Sequence, residues 1–206
     1  LARDREHVVS VPWPALTELN CELLFSRASL DVKVASGKVA GLPGLQLLKS
    51  EARIANLEHQ PAVEVAVEVK GALSDALGFV NGSPLGAMTE HALADATATG
   101  TADYRFRLRL PIDAIETSTV QGTVTLPGND LRFLAQAPLL GQTRGVVNVT
   151  DQGFSVAGAQ AQLLGGEVRI DGGTQPLASA AGARSGVVFK AQGTVSADGL
   201  RQATEL

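Results

Sequence analysis

Apolar and polar side chains alternate with a period of two residues along much of the chain. The clearest example runs from Tyr104 to Ile112, where apolar side chains are interleaved with Arg105, Arg107 and Arg109. Successive side chains of a β-strand point to opposite faces of a sheet, so the pattern predicts strands with one apolar and one polar face. The predicted apolar face consists of Val63, Val65, Val67, Val69, Tyr104, Phe106, Leu108, Leu110, Val120, Val124, Leu126, Val168 and Ile170.

Residues that favour tight turns separate these alternating runs. Turns are expected at Pro127–Asp130, Asp151–Gly153 and Asp171–Gly173. Strands joined by such turns are typical of hairpins and meanders rather than of strand–helix–strand crossovers. We predict a mainly β fold, in which a curved antiparallel sheet or sheets of the meander and hairpin type form a groove or a sandwich, with one or two short helices near residues 72–98.

The stretch from Ala72 to Ala98 departs from the alternation. Its apolar residues fall at helical intervals, which predicts two short helices packed against one face or end of the sheet. Ser83 is expected to cap the second helix, with Pro84 at its first position. The Ala-, Gly- and Ser-rich stretch from Pro176 to Gly186 predicts a loop.

A short internal repeat bears on the domain organisation. The sequence Gln-Gly-Thr-Val occurs at residues 121–124 and again at residues 192–195. Together with the alternation, it predicts a single β-rich segment over residues 1–206, with a further repeat unit beginning at about residues 187–206. Because the chain begins at Leu1 without a signal pattern, we expect it to be a segment of a larger protein.

The composition excludes several classes of function. A net charge of −4 argues against a nucleic-acid partner, because nucleic acids select a basic face. The single cysteine, Cys21, excludes an internal disulfide framework and a Cys-based metal site. No apolar run approaches the roughly 18 residues of a membrane span. Aromatic residues make up only 4% of the chain, which disfavours a carbohydrate-binding platform.

The sequence contains no clear catalytic or metal-binding motif. His7, His59 and His91 are far apart and lack the spacing of metal ligands. Gly165-Gly166 resembles a phosphate-binding loop, but the residues that follow it predict a strand instead of the helix that such a loop requires. A turn or bulge is the better interpretation. We predict a non-enzymatic segment without a metal or other cofactor.

The three arginines of the clearest strand leave two interpretations open. A row of guanidinium groups at positions 105, 107 and 109 is suited to binding phosphate groups. The simpler interpretation is a solvated strand face whose charges discourage aggregation, because the chain as a whole is acidic.

Several segments, in order along the chain, resemble the YhdP family of AsmA-like proteins of Gram-negative bacteria. These segments are Val69–Leu73, Phe79–Leu85, Gly100–Ile112, Val120–Gly122, Gly128–Leu131, Gly153–Val156 and Leu163–Val168. The resemblance covers residues 57–173 well, is thinner over the first 50 residues and is loose after Pro176. No single motif is diagnostic, and the order of the segments carries the comparison.

The resemblance implies a long periplasmic protein, tethered to the inner membrane by an anchor that lies outside this segment. It also implies repeated curved β-sheets whose concave apolar groove carries phospholipid between the inner and outer membranes. The apolar-face residues given above would then line the groove, and phospholipid would be the partner. Periodicity alone favours a second interpretation, a non-enzymatic periplasmic scaffold in which the same faces form a closed core.

Overall fold

The strands form one open antiparallel sheet with a nearly sequential strand order. The computed structural model describes residues 14–57, 60–83, 85–86, 93–114, 117–177 and 184–204. The strands are β1 (Leu16–Ser26), β2 (Ser29–Val39), β3 (Leu42–Ile54), β4 (Ala62–Ala72), β5 (Thr97–Ala98), β6 (Thr101–Pro111), β7 (Thr119–Arg132), β8 (Leu140–Thr150), β9 (Gly153–Leu163), β10 (Gly166–Leu177) and β11 (Arg184–Gly193). The helices are α1 (Leu73–Asn81) and α2 (Ala197–Thr204).

The strand order in space is β1-β2-β3-β4-β6-β7-β8-β9-β10-β11, and the short strand β5 pairs with the end of β7. The edges of the sheet are β1 and β11, and the sheet does not close on itself. The predicted mainly antiparallel β fold of the meander type is therefore confirmed.

The pairing of β4 with β6 shows how the alternation is used. Val65 lies opposite Leu108, whereas Glu64 lies opposite Arg109. Directly opposite residues of an antiparallel pair share a face, so apolar side chains meet on one face and charged side chains on the other. The predicted two-faced strands are confirmed here.

Helix α1 covers one end of the apolar face. It follows β4 directly, and its Leu73 packs into a cluster of buried residues contributed by several strands. The cluster consists of Val39, Leu45, Leu73, Ala102, Tyr104 and Leu126. The backbone N–H of Gly44 on β3 donates a hydrogen bond of 2.8 Å to Asp75 Oδ2, which tethers the first turn of the helix to the sheet. The first predicted helix is confirmed.

The second predicted helix falls mostly on residue 84 and residues 87–92, which lie outside the described residues. Ser83, its expected cap, is buried. The backbone N–H of Leu85 donates a hydrogen bond of 3.3 Å to Ser83 Oγ, as an N-terminal cap requires.

Two of the three predicted turns are wrong. Asp151–Gly153 does connect β8 to β9, but Pro127–Asp130 lies inside β7 and Asp171–Gly173 lies inside β10. Both strands have irregular register at these places. Asp130 Oδ1 and Asp171 Oδ1 each accept a backbone hydrogen bond from the adjacent strand, from Gln142 at 2.9 Å and Gly158 at 2.7 Å. The turn-forming residues therefore serve β-bulges.

Helix α2 corrects the expectation that helices are confined to residues 72–98. The helix has only eight residues, contains Gly199 and has Leu200 as its single large apolar residue, so its apolar pattern is too short to reveal it in the sequence. Its beginning is nevertheless capped, because the backbone N–H of Gly199 donates a hydrogen bond of 2.9 Å to Ser196 Oγ.

The predicted loop at Pro176–Gly186 is wrong at both of its ends. Residues 176–177 belong to β10 and residues 184–186 to β11, while residues 178–183 lie outside the described residues. The two copies of Gln-Gly-Thr-Val occupy different places, because the first lies near the start of β7 and the second begins at the end of β11. The further repeat unit at about residues 187–206 stays a prediction.

Candidate functional site

The predicted apolar-face residues lie on one face of the sheet. The directly opposite pairs on this face include Val63–Leu110, Val65–Leu108, Val67–Phe106, Val69–Tyr104, Leu108–Val120 and Tyr104–Val124. Leu126 continues the face two residues beyond Val124 on β7. The register continues from Val124 through Val147 to Val156, and Val168 and Ile170 complete the face on β10.

One part of this face, which we name the covered end, is a closed core. It consists of Val39, Leu45, Tyr104 and Leu126, whose exposed fractions lie between 4% and 6%. Helix α1 packs over these residues through Leu73, with Ala76 and Phe79 alongside. Two of the predicted residues, Tyr104 and Leu126, are therefore core residues.

A second part, which we name the open band, has no comparable cover in the described part of the chain. All strands belong to a single sheet, and helix α1 packs over the covered end. The residues of the open band that were predicted from the sequence are half-buried, and its two residues on β1, Leu23 and Phe25, are exposed. The open band consists of Leu23, Phe25, Leu30, Val32, Val34, Ala52, Ile54, Val63, Val65, Val67, Leu108, Leu110 and Val120. Val69, Phe106 and Val124 are also half-buried and lie at the border with the covered end.

The open band is uncharged and continuous across the strands. One row of directly opposite residues runs from β1 to β7 through Leu23, Val32, Ala52, Val65, Leu108 and Val120. The polar neighbours of these residues along each strand point to the other face. An apolar track therefore crosses six neighbouring strands at right angles to the strand direction.

Val168 and Ile170 belong to neither region. Both are 6% exposed and pack with Ala159 and Ala161 on β9 in a small separate cluster. The alanines lie directly opposite them, and the partly buried Leu140, Val156 and Leu163 pack against this cluster. These two predicted residues are structural core.

The part of the open band on β1–β3 was not among the residues predicted from the sequence. On β2 a signal was present, because Leu30, Val32 and Val34 alternate with Asp31 and Lys33. On β1 the signal was absent, because three consecutive large apolar residues, Leu23 to Phe25, interrupt the alternation. Sequence alone leaves their face undefined.

Tyr104 is a buried titratable group at the covered end. Burial, and to a smaller extent the carboxylates of Asp75 and Asp103, raise the pKa of its phenol above the usual value. The hydroxyl donates a long hydrogen bond of 3.5 Å to the carbonyl of Ala72. The phenol therefore stays neutral at physiological pH, and it adds no charge to the apolar face.

The described residues contain no group of three or more His, Cys, Asp or Glu side chains placed to hold a metal ion. His7, His59 and His91 lie outside the described residues. Gly165 lies in the turn between β9 and β10, which confirms a turn in place of a phosphate loop.

None of the helices in the described ranges has both the length and the apolar character needed to span a bilayer. This finding concerns α1 and α2, which are short.

Comparison with known proteins gives a family assignment. The family model described as YhdP protein matches residues 10–206, which extends the similarity over the first three strands and the C-terminal helix. No curated protein and no solved structure matches the chain. Since the matched region includes nearly the whole sequence, the chain belongs to the YhdP family.

Proposed function

We propose that this segment uses its open band to bind the acyl chains of phospholipid as they move between the inner and outer membranes. The observation that carries the proposal is the uncharged row from Leu23 on β1 to Val120 on β7, which no second sheet covers in the described part of the chain. Membership of the YhdP family, a family of the cell envelope, agrees with this role.

The length of the row suits an acyl chain. Neighbouring strands lie about 4.8 Å apart, so a row of six strands measures about 24 Å. One leaflet of a bilayer has a hydrocarbon thickness of about 15 Å, half of a typical core. A single acyl chain can therefore lie along the row with all its methylene groups in contact with protein.

The chemistry of the band also suits a ligand that is moved rather than held. Apolar contact contributes about 0.8 kcal/mol for each buried CH₂ and has no directional requirement. A chain can slide along such a surface, because each position offers similar contacts. No side chain of the band carries a charge that would fix one position.

In this proposal the segment is periplasmic, non-enzymatic and without a cofactor, and the larger protein is tethered to the inner membrane outside this segment.

A structural scaffold is the second candidate. The covered end and the Val168–Ile170 cluster favour it, because both are ordinary closed cores. In that case a further part of the larger protein would cover the open band, and no lipid would reach it.

Site-specific photo-crosslinking in the full-length protein separates these two functions. A photoreactive side chain is placed at Leu108, on the open band, and in a second protein at Asp103, on the opposite face of the same strand. We expect phospholipid to be captured from position 108 and not from position 103. Equal capture from both positions, or capture from neither, would favour the scaffold.

Transport measurements provide the matched functional test. Val65→Glu places a charge in the middle of the row and is expected to stop lipid transfer, whereas Val65→Leu keeps the surface apolar and is expected to preserve it. Circular dichroism establishes that both variants are folded. Transfer by folded Val65→Glu at the rate of the unchanged protein would contradict the proposal.

A further inference from the structure

The polar face of the sheet has two adjoining depressions behind the open band. Their volumes are about 400 Å³ and about 570 Å³, and both are lined by Arg107 and Gln121. Ala66 lies opposite Arg107 on β4 and Gln121 lies opposite it on β7. The small side chain of Ala66 leaves space beside the guanidinium group of Arg107.

This part of the polar face is positively charged, although the whole chain has a net charge of −4. The two depressions are lined by five basic and three acidic side chains, an excess of two positive charges. The basic residues are Lys49, Arg53, Arg105, Arg107 and Arg109, and the acidic residues are Glu51, Glu64 and Glu68.

The ion pairs leave two of these arginines without a close carboxylate. Arg53 pairs with Asp31 at 3.4 Å, and Arg105 pairs with Glu68 at 3.6 Å. Within the described ranges, no carboxylate oxygen lies within 4.0 Å of Arg107 or Arg109. Their guanidinium groups retain unused donors beside a concave surface.

We propose that these depressions bind a phosphate group through Arg107 and Arg109. Side chains two residues apart on a strand are separated by about 7 Å, so the two guanidinium groups can flank one ligand. The planar fork of an arginine matches phosphate oxygens in a bidentate arrangement. Thr119 and Gln121, which lie opposite Arg109 and Arg107 on β7, add a hydroxyl and an amide as neutral donors.

Glu64 provides an internal check on this proposal. It lies opposite Arg109 in the register and lines the smaller depression, so its negative charge opposes a bound phosphate. Removing that charge is expected to strengthen binding, whereas removing the charge of Arg107 is expected to weaken it. Opposite effects from two exposed neighbours cannot arise from a general loss of stability.

The site is independent of the lipid proposal, because it lies on the other face of the sheet. A phosphate ligand could be free or could be the headgroup of an anionic lipid, and both share the chemistry that the arginines recognise. Two probes separate these sources: inorganic pyrophosphate, titrated calorimetrically, and vesicles of phosphatidylglycerol in phosphatidylcholine, measured by co-sedimentation.

We expect Arg107→Gln to weaken binding of the responding probe about tenfold, the equivalent of one lost charge-assisted contact. Glu64→Gln is expected to tighten binding severalfold. Arg132→Gln, the same substitution at an exposed position at the far end of β7, is the matched control and is expected to change nothing.

A response to pyrophosphate alone supports a free phosphate ligand, and a response to vesicles alone supports a lipid headgroup. Failure of both probes to bind would overturn the proposal, whether or not a polyglutamate peptide binds. Equal weakening by Arg107→Gln and Arg132→Gln would also overturn the proposal, because binding would then depend on the net charge of the protein and not on a site at Arg107.

Discussion

The covered end and the open band are built from the same strands but differ in what lies over them. Strand β6 contributes Tyr104 to the first and Leu108 to the second, and the two residues are four positions apart on the same face of that strand. Tyr104 is 6% exposed beneath α1, whereas Leu108 is half-buried. Alternation thus determines which face a side chain occupies, while a separate element determines whether that face is closed.

The comparison is tested most strongly by removing a leucine from each region. Leu45→Ala empties a site that is 4% exposed and is expected to cost about 2–5 kcal/mol of unfolding free energy. Leu108→Ala should cost less, because Leu108 is only partly buried and some of its side chain already contacts water. Urea denaturation of both variants measures the difference. Equal losses would mean that the open band is also a closed core.

A charge introduced on either face of β6 gives the next largest effect. Leu108→Asp desolvates a carboxylate against apolar neighbours and is expected to cost roughly 1–3 kcal/mol. Arg107→Asp, at the adjacent position on the polar face, should change stability by about 0.5 kcal/mol. Thermal unfolding monitored by circular dichroism compares the two variants. Identical midpoints would show that the register of β6 is not the one described.

The tether of α1 is expected to matter to the covered end alone. Asp75→Ala removes the acceptor for the Gly44 N–H and should cost roughly 1–2 kcal/mol, whereas Asp75→Asn keeps an oxygen acceptor and should cost less. Hydrogen exchange should show faster opening around Leu45 and no change around Val65. Uniformly faster exchange across both regions would argue against a local cover.

The smallest effect concerns pH. Because burial raises the pKa of Tyr104 in the folded chain, its contribution to stability is complete below the ordinary phenol pKa of about 10 and is lost as the pH rises above that value. At neutral pH, Tyr104→Phe should therefore change stability little, but it should reduce the loss above pH ~10.

Tyr104 is the only tyrosine in the chain, so its ionisation can be followed directly by tyrosinate absorbance. We expect the absorbance change to coincide with unfolding in the unchanged protein. Ionisation at an ordinary pKa in the folded state would show that the covered end is open to water.

Much of the sheet could be predicted, because apolar and polar residues alternate in its central strands according to the face on which each side chain lies. The alternation at residues 63–70 and 104–112 correctly placed Val65 and Leu108 on one face, and the structure shows them directly opposite each other. The bulges could not be predicted, because the residues around Asp130 and Asp171 are typical of turns. In the structure, each carboxylate instead accepts a hydrogen bond from the backbone of an adjacent strand.

The division of the apolar face could not be predicted either. It depends on the packing of α1 over the sheet, where Asp75 contacts Gly44, and these two residues are 31 positions apart and carry no local signal of each other. Val168 and Ile170 show the same difficulty. They alternate with polar residues just as the open-band residues do, yet they lie in a closed cluster with alanines. Periodicity describes neighbours along a strand, whereas closure depends on distant residues.

The nearly sequential strand order has a consequence for how the chain acquires its structure. Each strand adds to the edge left by the strand before it, so closing each pair involves only a short loop and a small loss of chain entropy. The exception is the step from β4 to β6, which spans α1 and the residues that follow it. Folding can therefore begin at any hairpin and spread towards both edges, with the β4–β6 closure as the slow step.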